Sequence, residues 1–170
     1  MPALRNIRGV LVCVAVALLV RLFVLQPFYI PSGSMEPTLK INDRIVVETV
    51  SKHFGDVRVG SIVVFHAPRS LDPAGGEFLV KRVVAVAGDK LSAHDGRLYL
   101  NDAPLEEQYL QGSVRTEDFP ETLIPDDMFF AMGDNRGNSQ DSRFFGAVPQ
   151  DSIIGCVLVR VWPLRSLGGV

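Results

Sequence analysis

From Gly9 to Leu25 the chain runs seventeen residues with one charge, Arg21, and no other feature restricts its fold as strongly. Wound as an α-helix, such a run spans about 25 Å, slightly short of a hydrocarbon core of roughly 30 Å. Phe28, Tyr29 and Ile30 extend the contact to the interface, where aromatic rings settle, and Arg21 near the far end can snorkel to the headgroups. Arg5 and Arg8 precede the run, and the first 21 residues contain no acid, so the positive-inside bias keeps the N-terminus cytoplasmic. A cleaved signal peptide needs a small-x-small site after the run, and Gln26-Pro27-Phe28-Tyr29 provides none. A lipoprotein cleavage site needs a small residue before Cys13, where Val12 stands. A buried core helix is the competing reading. We expect residues 1–8 as a cytoplasmic tail, 9–25 as a single uncleaved transmembrane signal anchor, and 26–170 as an extracytoplasmic domain.

Beyond the apolar run the pattern is β. Ile41–Glu48, Gly60–Phe65 and Phe78–Val86 are rich in β-branched residues at strand length, and Gly88-Asp89 stops the last of them. Leu91–Leu100 reads as a hairpin about Asp95-Gly96, a strong two-residue turn signal. Met128–Met132 and Ile153–Trp162 supply two further strands, and no stretch after Leu25 has a helical period. Residues 103–127, rich in Pro, Glu and Asp, read as a surface loop or small excursion. The expected fold class is mainly β: a coiled antiparallel sheet preceded by one N-terminal transmembrane helix.

Several function classes are excluded early. After Arg21 the chain holds 14 basic and 19 acidic side chains with no Lys/Arg run, a poor surface for nucleic acid. Cys13 and Cys156 form no disulfide framework. His53, His66 and His94 are scattered without ligand spacing, so no metal site is expected, and none is tied by a motif to a serine. No glycine-rich phosphate loop leads a strand into a helix.

What remains is serine with a lysine base. Pro31-Ser32-Gly33-Ser34-Met35 sets two hydroxyls just past the apolar run. A serine is a weak nucleophile until a base takes its proton. A lysine can serve only if burial brings its pKa from about 10.4 towards about 7–8. Lys40 and Lys52 adjoin polar turns and Lys90 ends a strand, whereas Lys81 is embedded in Phe78-Leu79-Val80 and Val83-Val84-Ala85-Val86. Taken singly, Ser34 also suits a turn and Lys81 a solvated strand face. A third segment, Gly133 to Arg143, is densely polar yet follows the apolar Met128–Met132 run. It suits an exposed loop, or a shell in which a hydroxyl orients the amine and an Asp–Arg pair locks strands.

In order along the chain, these segments resemble the bacterial type I signal peptidases, membrane-bound serine/lysine proteases that remove signal peptides. Ile30-Pro31-Ser32-Gly33-Ser34-Met35-Glu36-Pro37-Thr38-Leu39 is similar to the family's nucleophile box, Gly60–Phe65 to its next strand, Lys81–Asp89 to its lysine box and Gly133–Arg143 to its last. The resemblance implies Ser34 as nucleophile and Lys81 as general base. It implies Ser32, with the Ser34 N–H, as oxyanion hole, and Ser139 as the hydroxyl orienting the lysine. Asp141 and Arg143 match a structural ion-pair group with Arg82. Gly137 and Ser61 replace acids common at those places in the family, neither of which carries chemistry. On this reading Phe28, Ile30, Pro31, Met35, Leu39 and Val80 line shallow pockets accepting alanine at −1 and −3 of an extended substrate. The expected partners are signal peptides of exported preproteins and membrane lipid, with no nucleic acid, metal or cofactor. The expected place is the plasma membrane, with the peptidase domain on the outer face. A narrow-specificity serine/lysine peptidase and a non-catalytic anchored domain binding exported chains are the alternatives.

Overall fold

Along Ile62-Val63-Val64-Phe65 the side chains alternate between two cores, as a strand's period of two requires. Ile62 and Val64 join Ile30, Met35, Leu39, Ile45 and Val47, whereas Val63 and Phe65 join Val83, Phe129, Ala131, Val148 and Ile153. An apolar run buried on both faces belongs at the centre of a sheet, and that is its position in the computed structural model, which describes Cys13 and residues 24–50, 57–110, 112 and 114–169.

Twelve strands are present among the described residues: β1 Leu25–Tyr29, β2 Arg44–Glu48, β3 Ile62–His66, β4 Phe78–Val86, β5 Lys90–His94, β6 Arg97–Leu100, β7 Ala103–Pro104, β8 Phe119–Leu123, β9 Met128–Met132, β10 Val148–Pro149, β11 Ile153–Trp162 and β12 Gly168–Gly169. A one-turn helix, α1, covers Ser142–Phe145. The larger sheet has the order β1-β2-β11-β3-β4-β9-β10, with β12 on β11, and the smaller has the order β7-β6-β5-β8. All pairings are antiparallel. Register shifts in β11 against β2 and β3, and in β4 against β9, curl the larger sheet. A third core, including Val84, Leu91, Leu98, Ile124, Phe130 and Met132, joins the two sheets.

The fold is thus mainly β and curled, as expected. Asp95 and Gly96 both have positive φ, 56° and 80°, the geometry a tight two-residue hairpin demands. One expectation needs correction, and one strand was not foreseen. Residues 103–127 are not simply a loop: β8 pairs with β5, and Ile124 is buried behind it. β8 is an edge strand, Phe-Pro-Glu-Thr-Leu, mostly exposed, so it lacks an apolar alternation to reveal it, and an edge tolerates Pro120. β1 went unread for a similar reason, since it is the other sheet's edge, contains Pro27 and abuts the apolar run. The expected anchor, 9–25, lies outside the described residues except for Cys13, Val24 and Leu25, and Leu25 opens β1. Among the described residues no helix is long and apolar enough to cross a membrane.

Candidate active site

Between β1 and β2 the chain makes a turn that the core fastens from below. Met35 and Leu39 are 1% and 0% exposed, pinned in the core that also holds Ile30. Ile30 N–H donates to the Asp43 carbonyl and Asn42 N–H to the Ile30 carbonyl, both at 3.0 Å, closing the turn at its base. Glu36 N–H donates to the Gly33 carbonyl at 3.1 Å. With its apolar residues drawn inward, the turn leaves Ser32 exposed and Ser34 half-buried at its crest. The two hydroxyl oxygens are 3.4 Å apart.

Lys81 lies mid-way along β4, opposite Val63 of β3, and is only 3% exposed. Its Nζ donates to Ser34 Oγ at 2.6 Å. Burial among apolar neighbours brings its pKa from an ordinary 10.5 to about 8. The Asp141 carboxylate opposes this shift, Arg143 reinforces it, and Asp134 opposes it. A substantial fraction of such an amine is neutral slightly above pH 7, within hydrogen-bond reach of a hydroxyl.

The loop after β9 braces both groups. Asn135 N–H donates to the Ser34 carbonyl and Asn135 Nδ2 to the Gly33 carbonyl, each at 3.0 Å. Asp134 accepts from Thr38 Oγ1 at 2.5 Å, and from Arg82 Nε and Nη2 at 2.9 and 2.8 Å. Arg82 also donates to the Gly60 carbonyl at 2.8 Å. Asp141 caps α1 and receives the Gly133 N–H and the Arg143 Nε and Nη2, all at 2.9 Å. Burial pushes the Asp141 carboxyl upward, but the bonds from Arg143 and Gly133 outweigh it and hold the pKa below the ordinary range.

Two residue expectations change here. Arg82 pairs with Asp134, not with the Asp141–Arg143 pair, because successive side chains of a strand diverge and Arg82 leaves β4 towards the Thr38 side of the turn. Ser139 does not bond Lys81. Its Oγ is buried with no hydrogen-bond partner among the described residues, and it lies against Gly133. Asp134 and Asn135 escaped the sequence reading, although both stand in the polar segment after β9. Their alternation with Gly133 and Arg136 carries no period that assigns them partners.

Gly133 is the close-packed point of this arrangement. A Cβ there would lie 2.2 Å from Ser139 Oγ and 2.4 Å from the Ser34 carbonyl oxygen. Gly133→Ala should therefore cost about 1–3 kcal/mol in urea unfolding, the range for overpacking. At Gly137 a Cβ meets nothing within 4 Å, and Gly137→Ala should stay within about 0.5 kcal/mol of wild type. Equal midpoints for the two variants would contradict the packing described.

Beside Ser34 and Lys81 is a cavity of about 40 Å³, room for a methyl-sized group. Ile30, Pro31, Met35 and Val80, four of the residues named for substrate pockets, line it together with Phe78 and Leu79. It adjoins an open cleft of about 450 Å³ walled by Phe28, Tyr29 and Phe78. Leu39, also expected at a pocket wall, lines neither and is fully buried beneath the turn. Phe78 and Leu79 were discoverable, because they precede Lys81 on the same strand. A cleft of about 620 Å³ beyond Pro37 and Thr38 touches neither Ser34 nor Lys81. Among the described residues no three His, Cys, Asp or Glu side chains converge as metal ligands.

Comparison with known proteins gives a consistent outcome. Residues 3–162 match the family described as signal peptidase, peptidase S26. The chain is 43% identical to signal peptidase I of Leptolyngbya laminosa, over 98% of this chain and 83% of that protein. It is 34% identical to signal peptidase IB of Staphylococcus aureus (strain COL), over 93% and 88%. A crystal structure of a signal peptidase I from Enterococcus faecalis V583 superposes with a TM-score of 0.50 at 32% identity, covering 58% of this chain and 94% of that one.

Proposed function

The chain belongs to the signal peptidase family, peptidase S26, whose activity is removal of signal peptides from exported preproteins, and on that premise we propose that Ser34 is its nucleophile and Lys81 its general base. The observation supporting this assignment is a lysine 3% exposed, its pKa drawn to about 8 by burial, 2.6 Å from a hydroxyl at the mouth of a methyl-sized cavity.

The substrate lies extended across the cleft by Phe28 and Phe78, with the alanine methyl of its −1 residue in the small cavity. Neutral Lys81 Nζ takes the Ser34 proton as Oγ bonds to the carbonyl carbon following that side chain. The carbonyl π electrons move to oxygen, where the Ser34 N–H and the Ser32 hydroxyl stabilise the charge. Ser34 N–H has no acceptor among the described residues, and Ser32 is exposed and free to rotate from its 3.4 Å contact. On collapse, the C–N bond breaks and the Lys81 ammonium protonates the departing amine. Water then attacks the Ser34 ester, Lys81 takes its proton and returns it to Ser34, and the signal peptide leaves as a carboxylate. The apolar run that precedes β1 anchors the enzyme in the plasma membrane with the site on the outer face. There, β1 and the turn after it lie close in sequence to the lipid in which a signal peptide arrives.

A detergent-solubilised full-length enzyme and a model preprotein test the assignment. The mature product should begin immediately after a small residue, and an acylating reagent should leave its mass on the peptide containing Ser34. Labelling elsewhere, with Ser34→Ala still processing, would refute the assignment.

A further inference from the structure

Gly133, which packs on Ser139 and on the Ser34 carbonyl, is held at both ends of its own peptide units. Asp141 accepts its N–H at 2.9 Å, and Arg136 Nε donates to its carbonyl at 3.0 Å. Arg136 comes from the same short loop and cannot hold that loop unless something holds it. Its side chain is fully buried, and its amino groups donate to both carboxylate oxygens of Glu107 and, at 2.6 Å, to Thr116 Oγ1. Two residues further on, the Tyr109 hydroxyl donates to Glu107 at 2.7 Å, while its ring covers the Arg82 guanidinium at 3.8 Å. Arg82 follows Lys81 in β4 and grips Asp134, which in turn accepts from Thr38 of the nucleophile turn. One stretch, Glu107-Gln108-Tyr109, therefore reaches both arginines that brace the groups around Ser34.

Building on the Ser34–Lys81 assignment, we propose that Glu107 and Tyr109 are positioning residues for that dyad, acting through Arg136 and Arg82. The chemistry of the contacts favours positioning over simple cohesion. A segment needed only to cover the molecule could do so with apolar side chains. A guanidinium fork on a carboxylate admits few orientations, so a buried pair of this kind fixes direction as well as distance. The tyrosine ring adds a second constraint, facing a guanidinium plane that is already tied to Asp134. Neither residue lines the cavity beside Ser34 or the cleft by Phe28, so their loss should leave peptide binding intact.

Acylation of the full-length protein in detergent separates positioning from folding, since intact mass follows both the final fraction of Ser34 acylated and the rate constant. Glu107→Gln should reach the wild-type fraction with a rate constant lower by about 10²-fold, the effect of misplacing reacting groups by about an ångström. Preprotein cleavage should then lose kcat by the same factor, with KM within about threefold. The double variant Glu107→Gln/Arg136→Gln should be no slower than Arg136→Gln alone. A wild-type rate constant in Glu107→Gln, or a loss confined to the fraction acylated, overturns the proposal. Should Glu107→Gln not fold, Tyr109→Phe decides: it keeps the ring on Arg82 and drops only the hydroxyl. About three- to tenfold slower acylation at full fraction is expected for one lost hydrogen bond, and an unchanged rate constant overturns the proposal. A wild-type enzyme not acylated at Ser34 would sink the dyad assignment itself, whereas equal rates in wild type and Glu107→Gln would sink only the positioning role.

Discussion

Lys81→Met is expected to abolish processing while making the folded domain more stable. Loss of the general base should lower kcat by about 10⁴-fold, the upper end for such a group, because no second lysine or histidine among the described residues is bonded to Ser34. For the wild type, kcat/KM should fall about tenfold per pH unit below the Lys81 pKa of about 8, since only the neutral amine accepts the serine proton.

Stability should follow the opposite course. Unfolded, Lys81 protonates with an ordinary pKa of 10.5, and folded with a pKa of about 8. Between those values the unfolded chain binds more protons, so stability rises with pH across that window. Below pH 8 the full penalty of burying the ammonium is present, about 3 kcal/mol, and by pH 10.5 it has gone. Methionine carries no such penalty and nearly fills the volume. Urea midpoints at pH 7 should favour Lys81→Met by up to about 3 kcal/mol, with the advantage closing towards pH 10.5. A variant no more stable than wild type at pH 7 would show that burial does not disfavour the charged lysine.

The second large effect is expected at Asp134. Its side chain is fully buried, and the paired Arg82 side chain is 7% exposed. Asp134→Ala leaves a guanidinium in the interior without its carboxylate, which typically costs about 3–5 kcal/mol. For a chain of this size that is a fall of roughly 10 °C in Tm. Removing both partners, as in Arg82→Met/Asp134→Leu, should recover most of the loss, because an apolar pair of similar volume often matches a buried ion pair. The pH profile should move as well. Asp134 raises the Lys81 pKa, so its removal lowers that pKa further and shifts the acidic limb of kcat/KM below pH 8. An Asp134→Ala enzyme with the wild-type Tm, or with an acidic limb moved upward, would contradict this account of the charges around Lys81.

Much of the fold was legible because burial imposes a period. β3, β4, β9 and β11 are apolar through most of their length, and the Asp95-Gly96 turn has a backbone geometry few other pairs adopt. β1 and β8 were not legible. Both are edges, each contains a proline, and an edge strand owes its pairing to its neighbour rather than to its own pattern. In the candidate site, Lys81 stood out because it alone of the lysines after the apolar run is embedded in an apolar strand, and a lysine buried there must be paired or lose its charge.

By itself, the sequence determined which strands run through the core and which residue types stand near one another along the chain: a serine pair in a proline-bounded turn, a lysine inside an apolar strand, a polar segment after another. Tertiary structure alone decided the pairing. Asp134 rather than Asp141 holds Arg82, Ser139 rests against Gly133 instead of bonding Lys81, and Glu107 reaches Arg136 across 29 positions. The physical reason is that hydrophobic burial is additive along the chain and leaves a local period. An ion pair or hydrogen bond depends on the angle and distance between two distant backbones, and neither chain segment records the other.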